Sequence, residues 1–261
     1  MADHKIAILK KQYPQLGKLR YFIIGDGKSG TTTVWQSLLA GGAKGRSSIH
    51  AHCNGSLWKF RYPQLQRYNI GLPELIQFAH QTSHRQPLII YTFREPISRT
   101  ISAFFENLVK FSRPSERRSA PVLCKRLDEH FLTEDYHTCE HPEYFDGFNP
   151  YEAEFDKTRG WSLYATEHCR ILFLKFECMK NWQEGIMTAL ANDERNDFKW
   201  KPSYLSSQKG YYNVYQQVKR EFRPSREKLD QKFERHEKWM NHFYTDEEIA
   251  ALKASWYAKV R

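Results

Sequence analysis

The stretch Tyr21–Leu39, YFIIGDGKSGTTTVWQSLL, constrains the fold of this chain more than any other. Tyr21 to Ile24 form a short apolar run closed by Gly25, the pattern of a buried strand. From Thr31 the apolar residues Val34, Trp35, Leu38 and Leu39 recur at helical spacing, up to Gly41-Gly42. The turn between them carries Gly25, Gly27 and Gly30, a lysine and four hydroxyl side chains. A strand that enters a helix through such a turn aims backbone N–H groups and a positive dipole end at one point. That is an anion site, and phosphate is its usual occupant. By itself the stretch also fits an ordinary glycine-rich connection, so its meaning depends on the rest of the chain.

The loop of nucleoside triphosphatases reads GxxxxGK[ST]. Gly25 and Gly30 have that separation, but Thr31 stands where the lysine belongs, and Lys28 comes two residues before Gly30. Such enzymes also end a later strand in a magnesium-binding Asp. Here the next strongly apolar strand, Pro87–Phe93, runs into Arg94. Pro96 then opens a helix with Ile97, Ile101, Phe104, Phe105 and Leu108 on its apolar face. Arg99 and Ser102 are neighbours on that helix. A guanidinium fork and a hydroxyl suit a phosphate, which favours a second anion over a metal, although such arginines also serve in surface ion pairs.

The chain has 261 residues, 40% of them hydrophobic, enough for one α/β domain of moderate size. No apolar run approaches the ~20 residues of a membrane span, and the N-terminus lacks a signal-length run. A soluble, cytoplasmic protein is expected. A net charge of +10 suits a polyanion, an anionic cofactor or an acidic membrane surface without choosing among them. Five cysteines without CxxC spacing read as free thiols. His137, Cys139 and His141 would share one side of an extended segment, but no second ligand group accompanies them, so no metal is expected.

Residues 1–20 read as a short helix and linker. Ser47–Cys53 alternates as a short strand or extended loop. In a parallel sheet it would end at the edge of the anion loop, with His50 and His52 on one face. A helix runs from Pro73 to about Ser83. Residues 110–160 read as a lid or acceptor-side insertion with one short helix around Leu123–Leu132. The aromatics of Trp58–Tyr68 and Tyr144–Trp161 would line a cleft or fill the core. Ile171–Phe176 is a further strand, and Trp182–Ala191 a helix. Residues 221–261 form a helical tail packed on the domain. Its apolar stripe is Leu229, Phe233 and Met240, and a capping box at Thr245–Glu248 precedes a helix that buries Ile249, Leu252 and Trp256. The expected fold is α/β: a single P-loop-like domain over 1–261, with a central, mainly parallel sheet flanked by helices.

KSGTT after one strand and R-x-P-x-x-R-x-x-S after a later one, in this order, resemble the sulfotransferases that use 3′-phosphoadenosine-5′-phosphosulfate (PAPS). More narrowly, the chain is similar to bacterial capsular polysaccharide synthesis proteins of the sulfotransferase-like kind. The similarity lies in HAH, REPISRTISAFFENL, EFDKTRGWSLY, LFLKFE, SSQKGYYNVY and HFYTDEEI, and covers most of residues 20–256. The resemblance implies transfer of a sulfuryl group by in-line displacement to a hydroxyl or amine of a carbohydrate or small natural product. It implies no metal, no nucleic-acid partner and no membrane span.

By the same resemblance, Ser29, Gly30, Thr31 and Thr32 hold the 5′-phosphosulfate, with Lys28 at the bridging oxygen. Thr33 completes this loop where many relatives carry the tryptophan that stacks on adenine, so Tyr211 or Trp35 would have to stack instead. Arg94 and Ser102, eight apart, hold the 3′-phosphate, and Lys209-Gly210 closes over it. The proton acceptor should titrate near neutrality at the carboxyl edge of the sheet, which suits His52 or His50, with His80 and His84 as runners-up. Two rivals are a nucleotide kinase-like P-loop enzyme and a non-catalytic protein that binds PAPS or a polyanion.

Overall fold

The computed structural model describes residues 2–41, 48–52, 63–83, 85–133, 140–191, 198–201 and 209–260. Helix α1 (Ala2–Gln12) and a 3-10 turn lead into β1 (Tyr21–Gly25), α2 (Thr31–Ala40), β2 (Ser48–His52) and α3 (Leu72–Ser83). Then come β3 (Leu88–Phe93), α4 (Pro96–Glu106), a one-turn helix at Leu108–Phe111 and α5 (Ala120–His130). After two 3-10 turns follow β4 (Trp161–Ala165), β5 (Arg170–Lys175) and α6 (Trp182–Leu190). The chain ends in α7 (Tyr212–Glu221), α8 (Arg226–Arg235), α9 (Glu237–Phe243) and α10 (Asp246–Tyr257). Two compact units result: Met1–Phe93 with His137–Ser203, and Arg94–Tyr136 with Tyr204–Arg261.

The first unit holds the sheet, in the order β2-β1-β3-β5-β4. Its β1–β2, β1–β3 and β3–β5 pairs are parallel, and β4 runs antiparallel to β5. The fold class is α/β, as expected. Residues of β1, β3 and β5 are apolar on both faces because both faces are covered. On one face Ile23, Ile90 and Leu172 meet Val34 and Leu38 of α2 and Trp182 and Ile186 of α6. On the other, the Tyr91 and Phe145 rings lie 5.4 Å apart, and Phe93 and Phe155 5.5 Å. Each such side chain contributes roughly 1.5–3 kcal/mol when fully buried. Phe145, Phe155 and Trp161 are therefore core, although the sequence left them as cleft or core, and residues 145–155 pack beneath the sheet.

Strand β4 corrects the sequence reading, which placed no strand there. It is an edge strand whose burial fades from Trp161 to an exposed Ala165, so it lacks the continuous apolar run of its neighbours. Its inner end is fixed by Trp161, which packs on Gly185 so closely that a Cβ there would come within 2.9 Å of the ring.

In the second unit, Glu95 caps α4 by accepting hydrogen bonds from the amides of Ile97 and Ser98, both at 2.7 Å. Helix α8 sends three basic side chains, one per turn, to the carboxyl end of α5. Lys228 donates to Asp128 O at 2.6 Å, Lys232 to Phe131 O at 3.0 Å, and Arg235 to Leu132 O at 3.0 Å. Asp128 O also accepts from the Phe131 amide at 3.4 Å, and Phe131 and Leu132 lie just past the helix end, where the negative dipole end favours basic side chains. The Thr245–Glu248 capping box is present on α10. Trp256 is buried as expected, whereas Ile249 and Leu252 are only half-buried, because the apolar face of α10 is narrower than its periodicity suggested.

Helix α1 is pinned to α3 by an ion pair between Lys5 Nζ and Glu74 Oε1 at 2.6 Å. Burial pushes the Glu74 carboxyl up, but Lys5 and the Gly71 amide outweigh it and hold it below the usual glutamate value. Its contribution to stability is present above the unfolded-state value and lost as pH falls through the lower folded-state value. The Tm gap between the natural chain and Glu74→Gln should be widest near neutrality. It should close as the buffer is taken below the ordinary glutamate range, as read by thermal unfolding.

Candidate functional site

The turn between β1 and α2 is built by close approach. Gly25 lies in register between His52 of β2 and Thr92 of β3. A Cβ at Gly25 would come within 2.6 Å of the Thr92 carbonyl oxygen and 2.7 Å of Thr31 Cγ2, so only glycine lets the chain turn there. Lys28 takes a left-handed conformation with φ 70°, unusual for a residue with a side chain and common where function holds a loop in shape. Gly30 is the N-cap of α2, also left-handed at φ 93°. With glycine there, no capping side chain competes for the amides of the first turn. An anion at this helix end would meet those amides, the positive dipole end and Lys28.

The hydroxyls divide. Ser29 is fully buried; its Oγ donates to Asp26 O and shares a 2.7 Å hydrogen bond with Thr92 Oγ1, so it ties the loop to β3. Thr31 and Thr33 are buried, whereas Thr32 and Lys28 are partly exposed. Asp26, which the sequence reading passed over, lies fully buried beneath the loop, and Tyr91 donates its phenolic O–H to Asp26 Oδ2 at 3.1 Å. The only signal for it in the sequence was a carboxylate between two glycines of the turn.

Among the histidines, His52 ends β2 opposite Gly25, at the carboxyl edge where the β1–α2 turn begins. His50 lies opposite Ile23, two residues further in. Its ring stacks on Trp35 at 5.6 Å, and Trp35 Nε1 donates to Ser48 Oγ at 3.2 Å. Trp35, one candidate for adenine stacking, is thus engaged with β2. His80 is corrected as a runner-up. Its ring meets His168 edge-on at 5.4 Å, next to the start of β5, and His168 Nδ1 lies 3.1 Å from Asp146 Oδ2. That is the opposite edge of the sheet from the loop. The five residues of β1, at about 3.3 Å each, separate the two edges by roughly 16 Å. His84 lies outside the described residues.

The second unit carries the other motif. Arg94 directly follows β3 in the chain, and its Nη1 donates to Ser102 Oγ at 3.1 Å. Ser102 Oγ also shares a 3.2 Å hydrogen bond with the hydroxyl of Tyr215, a buried residue of α7. Arg99 is buried on the same helix. Lys209 pairs with Glu106 at the end of α4, and Tyr211 donates to the same carboxylate at 3.1 Å. Burial works against the Lys209 charge, but Glu106 and Tyr211 outweigh it and lift the ammonium above its ordinary value. Gly210 is open, with no atom within 4 Å of a Cβ built there. Tyr215 and Glu106 were not singled out from sequence. Both stand inside motifs quoted above, SSQKGYYNVY and REPISRTISAFFENL, but neither type announces a phosphate ligand.

Cys169 is buried and its thiol is pushed up to about 12, chiefly by burial with a smaller push from Asp146, so it is no nucleophile. Cys124, Cys169 and Cys178 are free thiols. Among the described residues, no group of His, Cys, Asp and Glu side chains is arranged to hold a metal ion, and His137 and Cys139 lie outside them. Among the described residues no helix is long and apolar enough to cross a membrane.

Two glycines of the turn should respond differently to alanine. At Gly30 the substitution meets both the left-handed φ and the Trp182 ring, 2.7 Å from the new Cβ. A loss of about 1–3 kcal/mol is expected. At Gly27 a Cβ meets nothing within 4 Å, so Gly27→Ala should stay within about 0.5 kcal/mol of the natural chain. Urea denaturation midpoints of the two variants decide the matter.

A family model described as "Putative capsular polysaccharide synthesis protein" matches residues 126–245. This span runs from late α5 through β4, β5 and α6 to the start of α10, and leaves out both the β1–α2 turn and Arg94–Ser102. No curated protein and no solved structure matches the chain. Over that span, rather less than half its length, the chain is similar to this family.

Proposed function

We propose that this chain is a sulfotransferase that moves the sulfuryl group of PAPS to a hydroxyl or amine of a carbohydrate or small natural product. The observation that carries this reading is the 3.1 Å bond between Arg94 and Ser102. Two anion donors eight residues apart are brought together where the chain leaves an apolar strand, a point at which a magnesium-dependent phosphotransferase needs a carboxylate. The β1–α2 turn, with Lys28 ahead of its last glycine, supports the same reading. The matched family's description concerns polysaccharide synthesis, which favours a sugar hydroxyl as the acceptor.

PAPS supplies a sulfuryl group whose S–O bond to the 5′-phosphate breaks as the acceptor oxygen bonds to sulfur. Lys28 and the first-turn amides of α2 would hold the 5′-phosphosulfate and take up charge that grows on the bridging oxygen. Thr31, Thr32 and Thr33 stand in the first turn of α2, while Ser29 ties the loop to β3. Arg94, Ser102 and Lys209 would fix the 3′-phosphate, and this positioning lowers the barrier by holding donor and acceptor in line. His52, at the carboxyl edge, would take the proton released by the acceptor, and His50 is the second candidate.

A thermal-shift comparison tests the reading, because a ligand that binds only the native state raises Tm by mass action. 3′-Phosphoadenosine-5′-phosphate should stabilise the protein, its analogue lacking the 3′-phosphate should do much less, and Arg94→Ala should remove the difference. Stabilisation by ATP with magnesium alone, or by no nucleotide, would overturn the assignment. Once an acceptor is in hand, His52→Ala should lower kcat by about 10²–10⁴-fold while leaving the bisphosphate-induced shift intact.

A further inference from the structure

The residues around Ser102 form a two-rung ladder between α4 and α7. Ser102 and Glu106 are one turn apart on α4, and Tyr211 and Tyr215 one turn apart at the start of α7. Tyr215 pairs with Ser102 at 3.2 Å, and Tyr211 with Glu106 at 3.1 Å, so the two segments run antiparallel here. Phe105 supports both rungs, its ring 5.6 Å from that of Tyr211 and 5.1 Å from that of Tyr215. One rung holds Arg94 and two hydroxyls, which suits an anion. The other holds Lys209 against a carboxylate.

We propose that Glu106 is a specificity-determining residue: it stands in for the 3′-phosphate by holding Lys209 one rung away, and a 3′-phosphate on Ser102 draws the lysine across. This rests on the sulfotransferase reading above. The rungs are one helical turn apart, about 5–6 Å, a distance a flexible four-carbon lysine stem covers. Charge explains the exchange. Without ligand, an ammonium beside the Arg94 guanidinium would meet like charge, and Glu106 offers it a single negative charge instead. A phosphate dianion on Arg94, Ser102 and Tyr215 reverses the preference. A nucleotide lacking the 3′-phosphate provides no charge at this rung and leaves Lys209 with Glu106. The carboxylate thereby opposes only a ligand phosphorylated at the 3′ position, and sets how far the affinity for that ligand rises above that for the analogue.

The test is titration of full-length natural chain, Glu106→Gln and Tyr211→Phe with 3′-phosphoadenosine-5′-phosphate and with its analogue lacking the 3′-phosphate, by calorimetry. Glu106→Gln should tighten the bisphosphate by about two- to five-fold, the scale of one partly exposed ion pair, and leave the analogue unchanged. The gain should vanish in a Lys209→Met background, since the two residues then form one coupled unit. Tyr211→Phe, which keeps the ion pair and loses one hydrogen bond to Glu106, should shift affinity in the same direction by less. Weaker bisphosphate binding in Glu106→Gln, an equal change for both nucleotides, or a gain that survives Lys209→Met would overturn the exchange. If the natural chain discriminates between the nucleotides and Glu106→Gln does not alter this, the exchange alone fails. If the natural chain binds both alike, the sulfotransferase reading fails and the exchange with it.

Discussion

Parallel pairing of β1 with both β2 and β3 brings His52, Gly25 and Thr92 into one row across the sheet, and that row decides where the chain is able to turn. Thr92 stands so close behind Gly25 that the turn can begin only at a residue without a side chain. From there the loop is fixed by bonds to the same strand, through Ser29 to Thr92 and Asp26 to Tyr91. Its far end is set by Trp182, which closes on Gly30 from the start of α6. The amides of the α2 start are thus held from beneath and from one side by interactions that involve no ligand. A preorganised anion site needs this, because its donors must not have to reorganise when charge arrives.

The second unit uses another device. Helix ends that would leave carbonyls or amides unpaired are closed by charged side chains, Glu95 at the start of α4 and the three basic residues of α8 at the end of α5. The helix that carries Ser102 and Glu106 is therefore anchored by its own cap as well as by Ile97, Ile101, Phe104 and Phe105. Side chains presented from a helix fixed in this way keep a constant spacing.

The parallel strands were legible because burial on both faces writes a continuous apolar run, and the β1–α2 turn because glycine and hydroxyl residues cluster there. Arg94 and Ser102 were legible through their spacing. Strand β4 was not, since an edge strand buries one end only and draws its stability from a partner that the local pattern does not reveal. Asp26, Glu106 and Tyr215 were hidden for a related reason. Each is an ordinary residue made significant by a partner 65, 105 and 113 positions away, and no local period records such pairings. His80 misled because adjacency to a strand in sequence does not say which end of the sheet a helix residue reaches.

The capping of α5 by α8 also changes what the basic balance of the chain means. A formal charge of +10 counts every lysine and arginine alike. Lys232 is fully enclosed, and so is Lys175, whose Nζ donates to Lys157 O at 2.7 Å. Lys228 and Arg235 are turned to carbonyls of their own unit. The two enclosed lysines keep their contribution to the isoelectric point while being withdrawn from encounter with other molecules, Lys228 is half-buried, and Arg235 stays exposed. The protein should therefore elute from a cation-exchange column earlier than its isoelectric point of about 9.3 suggests, since a charged resin reads only the outer surface.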